Sequence, residues 1–260
     1  NQAVYSGGGI ATGGWEEYDL SVTDTDFHDN VALYSGGGID AGGYGANEVT
    51  LDGLVFERNY AGSEGGALMA GGALTLDLQV TCCTFADNVA SSTGGAVSLG
   101  AWDIQDITIT DSWFTDNASG QGGALTLATW GMQTLAMSDC QIEGNTAIEY
   151  GGAISLGGWA DSQVLNLTQV VLDGNDGGKD GAIHIGGVAG DHPGTVEITL
   201  ESCTVTGNVG RGGVTLEHDY TTIYSLDSDW GTGAADNTPS DVDTGGVTYS
   251  QYGSGATFTC

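Results

Sequence analysis

The chain has 260 residues, and its 34 acidic residues against 3 basic ones give it a formal charge of -31. This excess of negative charge argues against a binder of nucleic acid or of anionic membranes, since both need clustered lysine and arginine. Apolar residues make up 40% of the chain, which is enough for a core and argues against disorder. The charge suits either plain solubility or an extracellular, cation-rich setting.

Asparagines recur along the chain at an almost constant spacing. Successive members are 28 to 33 residues apart, and most are 29 apart: Asn1, Asn30, Asn59, Asn88, Asn117, Asn145, Asn175, Asn208 and Asn237. A period this steady predicts a solenoid. The chain begins on the repeat asparagine, so we expect further coils to precede Asn1.

Each repeat contains short runs in which apolar and polar residues alternate. In the fourth repeat they are Val97-Ser98-Leu99, Ile107-Thr108-Ile109 and Ser112-Trp113-Phe114. Alternation with period two predicts strands, and the glycine-rich or polar segments between the runs predict turns. The sequence therefore predicts an all-β fold, a parallel β-helix (solenoid) of about nine coils of about 29 residues with three short strands per coil.

Stacking of equivalent coils predicts internal ladders of like residues. We expect an apolar ladder of Phe27, Phe56, Phe85 and Phe114, and an asparagine ladder that includes Asn30, Asn59, Asn88, Asn117 and Asn145. The asparagines suit a tight turn, because Asn tolerates left-handed backbone and its amide can bond to the coils on both sides. The Gly-Gly pair that follows suits a bend with positive φ or no room for Cβ. Both motifs are thus expected to be structural.

A column of aromatic residues follows the first strand of the coils, broken by Ala73 in the third. Its members are Trp15, Tyr44, Trp102, Trp130 and Trp159, with Val188 and Tyr220 in looser register. Such a column is either a sugar platform or contact surface, or a set of rings that seal a corner of the coil. Because burial usually explains aromatic ladders, sealing is the expectation.

Aspartates form the candidate metal sites. Asp111 and Asp139 share a turn position in adjacent coils, and a second group, Asp227, Asp229, Asp241 and Asp243, lies near the end of the chain. Carboxylates this close repel unless a cation bridges them, so Ca²⁺ is a candidate. The alternative is that they are solvated turn residues. No cofactor is expected to be required.

Cysteine spacing gives no zinc motif. Cys83, Cys140 and Cys203 each lie five residues before a repeat asparagine, in an inward-facing column, and are two coils apart. That separation is too large for a disulfide, so we expect buried free thiols. Cys82 is expected to point outward, and Cys260 is a candidate partner for Cys203 if the C-terminal segment folds back.

Domain organisation follows from where the repeat pattern fades. Residues 1–216 carry the β-helix repeats, and 217–260 are expected to form an atypical C-terminal coil that caps the open end. The segment 189–194 is an inserted loop and a candidate specificity feature. The middle residues of the first strands are expected to form a flat outward face: Ala11, Asp40, Met69, Ser98, Thr126, Ser155, His184, Thr215 and Thr248.

The case for an enzyme is weaker. The basic residues Arg58 and Arg211 lie in turns without an acidic trio in register, and the four histidines, His28, His184, His192 and His218, fall in different columns or loops. No catalytic residue is therefore assigned. A carbohydrate-active enzyme (a polysaccharide lyase or hydrolase), with the aromatic column as sugar platform, is the alternative function.

The paired motif resembles that of the polymorphic outer-membrane protein repeat family. Full matches are Phe56/Asn59 with Gly65-Gly66-Ala67-Leu68, Phe85/Asn88 with Gly94-Gly95-Ala96-Val97, and Phe114/Asn117 with Gly122-Gly123-Ala124-Leu125. The resemblance covers residues 1–216 and implies a right-handed parallel β-helix displayed at a bacterial surface, with adhesive roles. No autotransporter barrel is present in this sequence, and the C-terminal segment departs from the family.

These observations lead to one expected function. We expect a non-enzymatic, secreted β-solenoid in the extracellular space or at the bacterial cell surface, acting as an adhesin or as a structural fibre or surface component. The expected partners are other copies of the chain or surface glycans and proteins. Nucleic acid is not expected to bind. The sequence contains no apolar run of about 20 residues, so direct membrane insertion of this segment is not expected.

Overall fold

The computed structural model describes residues 1–186, 194–217, 221–232, 236–243 and 249–254. Within these ranges the chain is all-β, as the sequence predicted, and contains no helix. A search of the described residues accordingly finds no helix that is long and apolar enough to cross a membrane. The coils stack as a parallel β-solenoid.

Four parallel sheets run along the solenoid axis, and the two longest have nine strands each. Sheet I contains Ile10–Thr12, Ile39–Gly42, Leu68–Gly72, Val97–Ala101, Leu125–Thr129, Ile154–Gly158, Ile183–Ile185, Val214–Leu216 and Val242–Asp243. Sheet II contains Tyr18–Thr23, Asn47–Asp52, Thr75–Thr81, Ile104–Thr110, Met132–Ser138, Ser162–Thr168, Thr195–Glu201, Thr221–Leu226 and Tyr249–Ser254.

The other two sheets are built from shorter strands. Sheet III contains Asp26–His28, Val55–Glu57, Thr84–Ala86, Trp113–Thr115, Gln141–Glu143, Val171–Asp173 and Thr204–Thr206. Sheet IV contains Gln2–Ala3, Val31–Ala32, Tyr60–Ala61, Val89–Ala90, Ala118–Gln121 and Thr146–Tyr150. Three strands per coil were expected. Sheet IV is a fourth, and most of its strands are too short to carry an alternating apolar pattern.

Equivalent residues pair from coil to coil. Leu68 pairs with Val97, and Val97 pairs with Leu125, so the period of the sequence sets the register of the sheets. Nine successive strands in sheets I and II give eight steps, or about eight turns. The described part of 217–260 continues this pairing, since Val214 pairs with Val242 and Thr221 pairs with Tyr249.

The predicted phenylalanine ladder is the centre of the core. Phe27, Phe56, Phe85 and Phe114 stack with ring centroids 4.7 to 4.9 Å apart and interplanar angles of 3 to 10°. After Phe114 the column continues with Ile142, Leu172 and Val205, which pair in register. The buried Trp230 follows Val205, because Thr204 pairs with Asp229. Each ring thus fills the space that one coil leaves above the previous ring.

The predicted asparagine ladder is continuous from Asn1 to Asn237. The Nδ2 amide of each member donates to the Oδ1 of the next, at 2.9 to 3.0 Å. From Asn59 onward each Nδ2 also donates to the backbone carbonyl of an apolar-ladder residue in the previous coil, for example Asn88 to Phe56 at 2.9 Å. From Asn59 onward these amides are buried and each Nδ2 has at least two acceptors, which ties adjacent coils together.

The left-handed backbone lies one residue earlier than expected. The asparagines themselves do not have positive φ; the residue before them does, at Asp29, Arg58, Asp87, Asp116, Gly144, Gly174 and Gly207. A second left-handed turn precedes sheet III, at Asp24, Gly53, Cys82, Asp111, Asp139, Gln169, Ser202 and Asp227. Aspartate is one of the few residues that tolerates this conformation, so backbone geometry accounts for the repeated turn aspartates.

The outward face of sheet I is not the flat exposed surface that the sequence predicted. Ser98, Thr126, Ser155, His184 and Thr215 are buried, because the segment at the Gly-Gly bend folds over them. The hydroxyl of Ser98 lies 3.1 Å from that of Thr93, and Thr126 Oγ1 donates to the carbonyl of Gln121. Of the remaining positions, Ala11 is exposed, Asp40 and Met69 are half-buried, and Thr248 lies outside the described residues.

The inward cysteine column is confirmed as free thiols. Cys83, Cys140 and Cys203 are buried and unpaired, and Cys82 is exposed. Burial raises the pKa of the Cys140 thiol to about 11 and raises the pKa of Cys83 and Cys203 as well. The fold therefore favours the neutral thiols. Cys260, like Val188, Tyr220, His192, His218 and the loop core at 189–193, lies outside the described residues.

The raised pKa of the buried thiols predicts a loss of stability at alkaline pH. An unfolded thiol ionises at about pH 8.5–9, whereas folded Cys140 keeps its proton to higher pH, so the free energy of unfolding should be level below about pH 8 and fall above it. Cys140 alone should contribute a loss of about 2–3 kcal/mol by pH 11. Urea unfolding at a series of pH values measures this, with Cys140→Ser as control because Ser112 occupies the same column. An equally steep loss in that variant would contradict the assignment.

Candidate functional site

One ring per coil lies at the corner between sheets I and II, in most of the first six coils. These residues, here called the aromatic edge, are exposed by 60 to 82%: Trp15, Tyr44, Trp102, Trp130 and Trp159. The expectation that they seal the corner is wrong. In the fourth coil only two residues separate the strands that end at Ala101 and begin at Ile104, and the interior beneath is already filled, so the rings point outward.

The rings of the aromatic edge form two stacks along the axis. Trp15 and Tyr44 have centroids 4.4 Å apart and an interplanar angle of 8°. Trp102, Trp130 and Trp159 follow at 6.3 and 5.4 Å with angles of 25 and 15°. The stacking follows directly from the parallel register, which places each ring one coil step from its neighbour.

Ala73 leaves a gap one coil high between the two stacks. Gly42 pairs with Gly71 and Gly71 with Gly100, so Ala73 is in register between Tyr44 and Trp102. Two coil steps of about 4.8 Å put about 9.6 Å between those residues. A groove of about 530 Å³ lies here, and Tyr44, Ala73 and Trp102 all line it. Because the rings stack along the axis, the end rings of the two stacks turn their free faces toward this gap.

A second polar ladder, which the sequence did not predict, supports the corner from inside. Its members, Asn47, Gln105, Gln133 and Gln163, are buried at the start of sheet II. Their amides donate to backbone carbonyls at the end of sheet I, as Gln105 does to Ala128 at 3.2 Å, or to one another, as Gln133 does to Gln105 at 3.0 Å. This ladder fixes the distance between the two sheets and hence the position of the rings. A polar residue at the first inward position of four sheet II strands was the available signal; Leu76 and Val196 occupy this position in two other coils.

Each of the three basic residues of the chain is paired with an acid. Arg58 contacts Asp29 and Glu57, and Lys179 lies 2.9 Å from Glu149. The third, Arg211, lies beside Asp180 and Asp243. The chain thus presents no unpaired lysine or arginine to an anionic ligand.

The aspartates that were candidate calcium ligands have varied surroundings. Asp111, Asp139 and Asp227 are exposed, and each has a left-handed backbone conformation with positive φ. Asp229 accepts from the backbone of Gly231, the buried Asp241 accepts from Asn237, and Asp243 accepts from Arg211. None belongs to a group of three or more potential ligands within the described ranges. Calcium binding at these residues stays a prediction.

The described residues do bring together three other potential metal ligands, Asp180, His184 and Glu217. Nδ1 of His184 lies 2.8 Å from Oδ2 of Asp180, and the imidazole stacks on Tyr150 with ring centroids 4.9 Å apart. Arg211 Nη1 lies 3.3 Å from the other oxygen of Asp180. The sequence assigned His184 to an outward strand face and gave it no partner, so this buried cluster was missed.

The signal for this cluster was a departure from the repeat. Where other coils have a first glycine, as at Gly122 and Gly151, the seventh has Asp180, and where they have Ser98, Thr126 or Ser155 it has His184. The two changes are four residues apart and occur in the same coil. In the fourth and fifth coils the hydroxyl at this strand position, Ser98 or Thr126, contacts the bend. In the seventh coil the equivalent contact joins an imidazole to a carboxylate.

No protein-family model matches the chain, and no curated protein or solved structure is significantly similar to it. We therefore infer its function mainly from the geometry of the described residues.

Proposed function

We propose that the chain is a non-enzymatic β-solenoid of the extracellular space or the bacterial cell surface, that it acts as an adhesin, and that its aromatic edge contacts uncharged glycans. The observation that carries this proposal is the exposure of Trp15, Tyr44, Trp102, Trp130 and Trp159, by 60 to 82%. Large rings gathered on one surface leave much apolar area in water, and such patches are typical of binding sites.

The preference for an uncharged ligand follows from electrostatics. The chain carries a formal charge of -31, and its arginines and lysine are already paired with acids. A polyanion would meet repulsion without any compensating contact. A neutral sugar ring instead offers C–H groups to the rings and hydroxyls to water.

The proposed location and the proposed adhesive role rest on two further features. The composition suits a secreted protein, and the repeat motif resembles that of a surface-displayed, adhesive family. A structural fibre or surface component built from copies of this chain is the second form of the same proposal, since a regular edge can also contact another copy. Light scattering with and without glycan separates the two forms.

Alanine variants of the aromatic edge test the proposal. We expect the full chain to bind at least one polysaccharide in a panel of neutral polymers, and Trp102→Ala to raise the dissociation constant by about tenfold, because one large contact is worth about 1.4 kcal/mol. Affinity electrophoresis and calorimetry measure the binding. The melting temperature should change little, because the ring is mostly in water.

Trp113→Ala is the matched control, because Trp113 is also exposed but lies on sheet III, away from the aromatic edge. It should leave binding unchanged. Ala73→Trp would fill the gap between the stacks, and we expect it to weaken binding if a sugar ring occupies that gap. The proposal would be wrong if the chain bound no neutral polymer, or if Trp113→Ala weakened binding as much as Trp102→Ala.

A carbohydrate-active enzyme is the alternative, and the pair Asp180 and His184 is the observation that favours it, because a carboxylate beside an imidazole can move a proton. Steady release of reducing ends or unsaturated sugars from the same panel, lost in Asp180→Asn, would support this alternative. Binding without turnover supports the adhesin.

A further inference from the structure

The cluster around His184 contains buried polar atoms without ordinary partners. Asp180 and His184 are 1% and 6% exposed. Oδ2 of Asp180 and Nδ1 of His184 lie 2.8 Å apart, and neither has a hydrogen-bonding partner elsewhere in the part of the chain that the structure describes. Buried polar atoms are nearly always satisfied, and an exception requires an explanation such as a bound ion. These two atoms therefore lie in the same small volume.

A third ligand is supplied by the next coil. Glu217 follows the strand Val214–Leu216, and its backbone N–H donates to the carbonyl of Ile185, which places it beside Gly186. One ligand atom from each of Asp180, His184 and Glu217 lies within 4.8 Å of the other two. Two carboxylates and one imidazole therefore converge from neighbouring coils.

The charges of the surrounding groups leave a deficit of positive charge. Asp180, Glu217 and Asp243 contribute three negative charges, and among the described residues Arg211 contributes the cation that pairs directly with this group, through Asp180 and Asp243. Lys179 interacts with Asp180 only at longer range, and it is paired with Glu149. The sum is about two negative charges when the imidazole is neutral. A divalent cation would balance it. Arg211 binds Oδ1 of Asp180, so the other oxygen is left to face His184.

The imidazole is held in place by its surroundings. The Tyr150 ring packs on it at 4.9 Å. A Cβ at Gly186 would lie within 3.0 Å of Nε2, so the absence of a side chain at Gly186 makes room for the ring. A ligand whose orientation is fixed by packing loses little entropy when it binds a metal.

The geometry points to a binding site for a zinc-class divalent ion, formed by Asp180, His184 and Glu217. One imidazole nitrogen with two carboxylate oxygens is a donor set of zinc, whereas calcium takes oxygen ligands alone. Ligand atoms about 2.0–2.1 Å from zinc lie about 3.3 Å apart in a tetrahedral site. The pair at 2.8 Å would therefore open by about half an ångström on binding. Water would take the fourth position.

Metal titration of the full chain, treated with a chelator and dialysed, tests this inference. We expect Zn²⁺ to bind with about one high-affinity equivalent by calorimetry, and Co²⁺ to give the visible absorption of a four-coordinate site. Excess Zn²⁺ should raise the melting temperature, since it binds the folded state. Ca²⁺ at the same concentration should reproduce neither the absorption nor the competition with Co²⁺.

Ligand variants and matched controls make the test specific. His184→Asn should remove the cobalt absorption, and Glu217→Gln, which keeps the side-chain shape, should weaken binding at least about tenfold. His28→Asn is the control, because His28 also lies near carboxylates, 3.1 Å from Glu57 and 3.8 Å from Asp26, but is exposed. Glu143→Gln controls for loss of one charge on sheet III. Absence of zinc binding, or equal losses in His28→Asn, would overturn the inference and leave a proton shared between Asp180 and His184.

Discussion

Replacing Gly95 with alanine is expected to destabilise the solenoid by at least about 4 kcal/mol, at the upper end of single substitutions. A Cβ on Gly95 would lie less than 3.0 Å from the carbonyl oxygen of Gly123 and from the backbone N and C of Ala118. These are backbone atoms of the next coil. They cannot move aside without breaking the pairing of sheets I and IV, which extends through every neighbouring coil.

Gly157→Ala is the matched control. A Cβ at Gly157 meets nothing within 4 Å, and Ala128 already occupies the equivalent position in the previous coil. Its effect should be within about 0.5 kcal/mol, or slightly stabilising, because alanine narrows the freedom of the unfolded chain. Thermal and urea unfolding of the two variants measure the difference. Similar stabilities would show that the coils separate more easily than their backbone contacts indicate.

The second large effect is expected from Asn117→Leu, which keeps the volume of the side chain but removes its amide. Oδ1 of Asn117 accepts from both nitrogens of Asn88 at 3.0 Å, and Nδ2 donates to Phe85 and to Asn145 at 2.9 Å. The variant leaves buried donors of Asn88 unsatisfied and removes a bond from Phe85. At about 1–3 kcal/mol for each unsatisfied group, a loss of at least about 4 kcal/mol is expected.

The shape of the unfolding curve gives a second measurement of the same variant. A solenoid is held together by contacts between neighbouring coils, so a break in the middle should uncouple its two halves. We expect the urea transition to broaden or split and its slope to fall. Asn166→Leu is the control, because Asn166 is half-buried on sheet II and outside the ladder, and it should remain cooperative. A sharp single transition in Asn117→Leu would contradict this prediction, because the two halves would still unfold together without the Asn117 amide.

These two substitutions affect residues that recur in most coils, and neither tests binding. Binding is expected where the coils differ from one another. Ala73 interrupts the aromatic edge, and Asp180 and His184 replace a glycine and a hydroxyl in one coil. Since a solenoid fixes backbone position at every coil, such a change alters local chemistry with little cost to the fold.

The sequence by itself determined the architecture. The 29-residue spacing of asparagines set the register, which is why Phe85 stacks on Phe56 and Phe114 and why Asn88 bonds to Asn117. Both ladders follow from a translation that superimposes like residues, and a translation can be read from a period. The buried thiols of Cys83, Cys140 and Cys203 followed from the same register.

Only the tertiary structure decided which side chains at the turns and on the strand faces are exposed to water. The sequence placed Trp102 at a corner, but its exposure depends on the short connection and on the Gln105 ladder that fills the space below. Ser98 and His184 alternate as outward residues should, yet the neighbouring bend covers them. Periodicity fixes the direction of a side chain relative to its own strand. Its burial depends on segments packed from elsewhere, and a one-dimensional pattern does not specify those contacts.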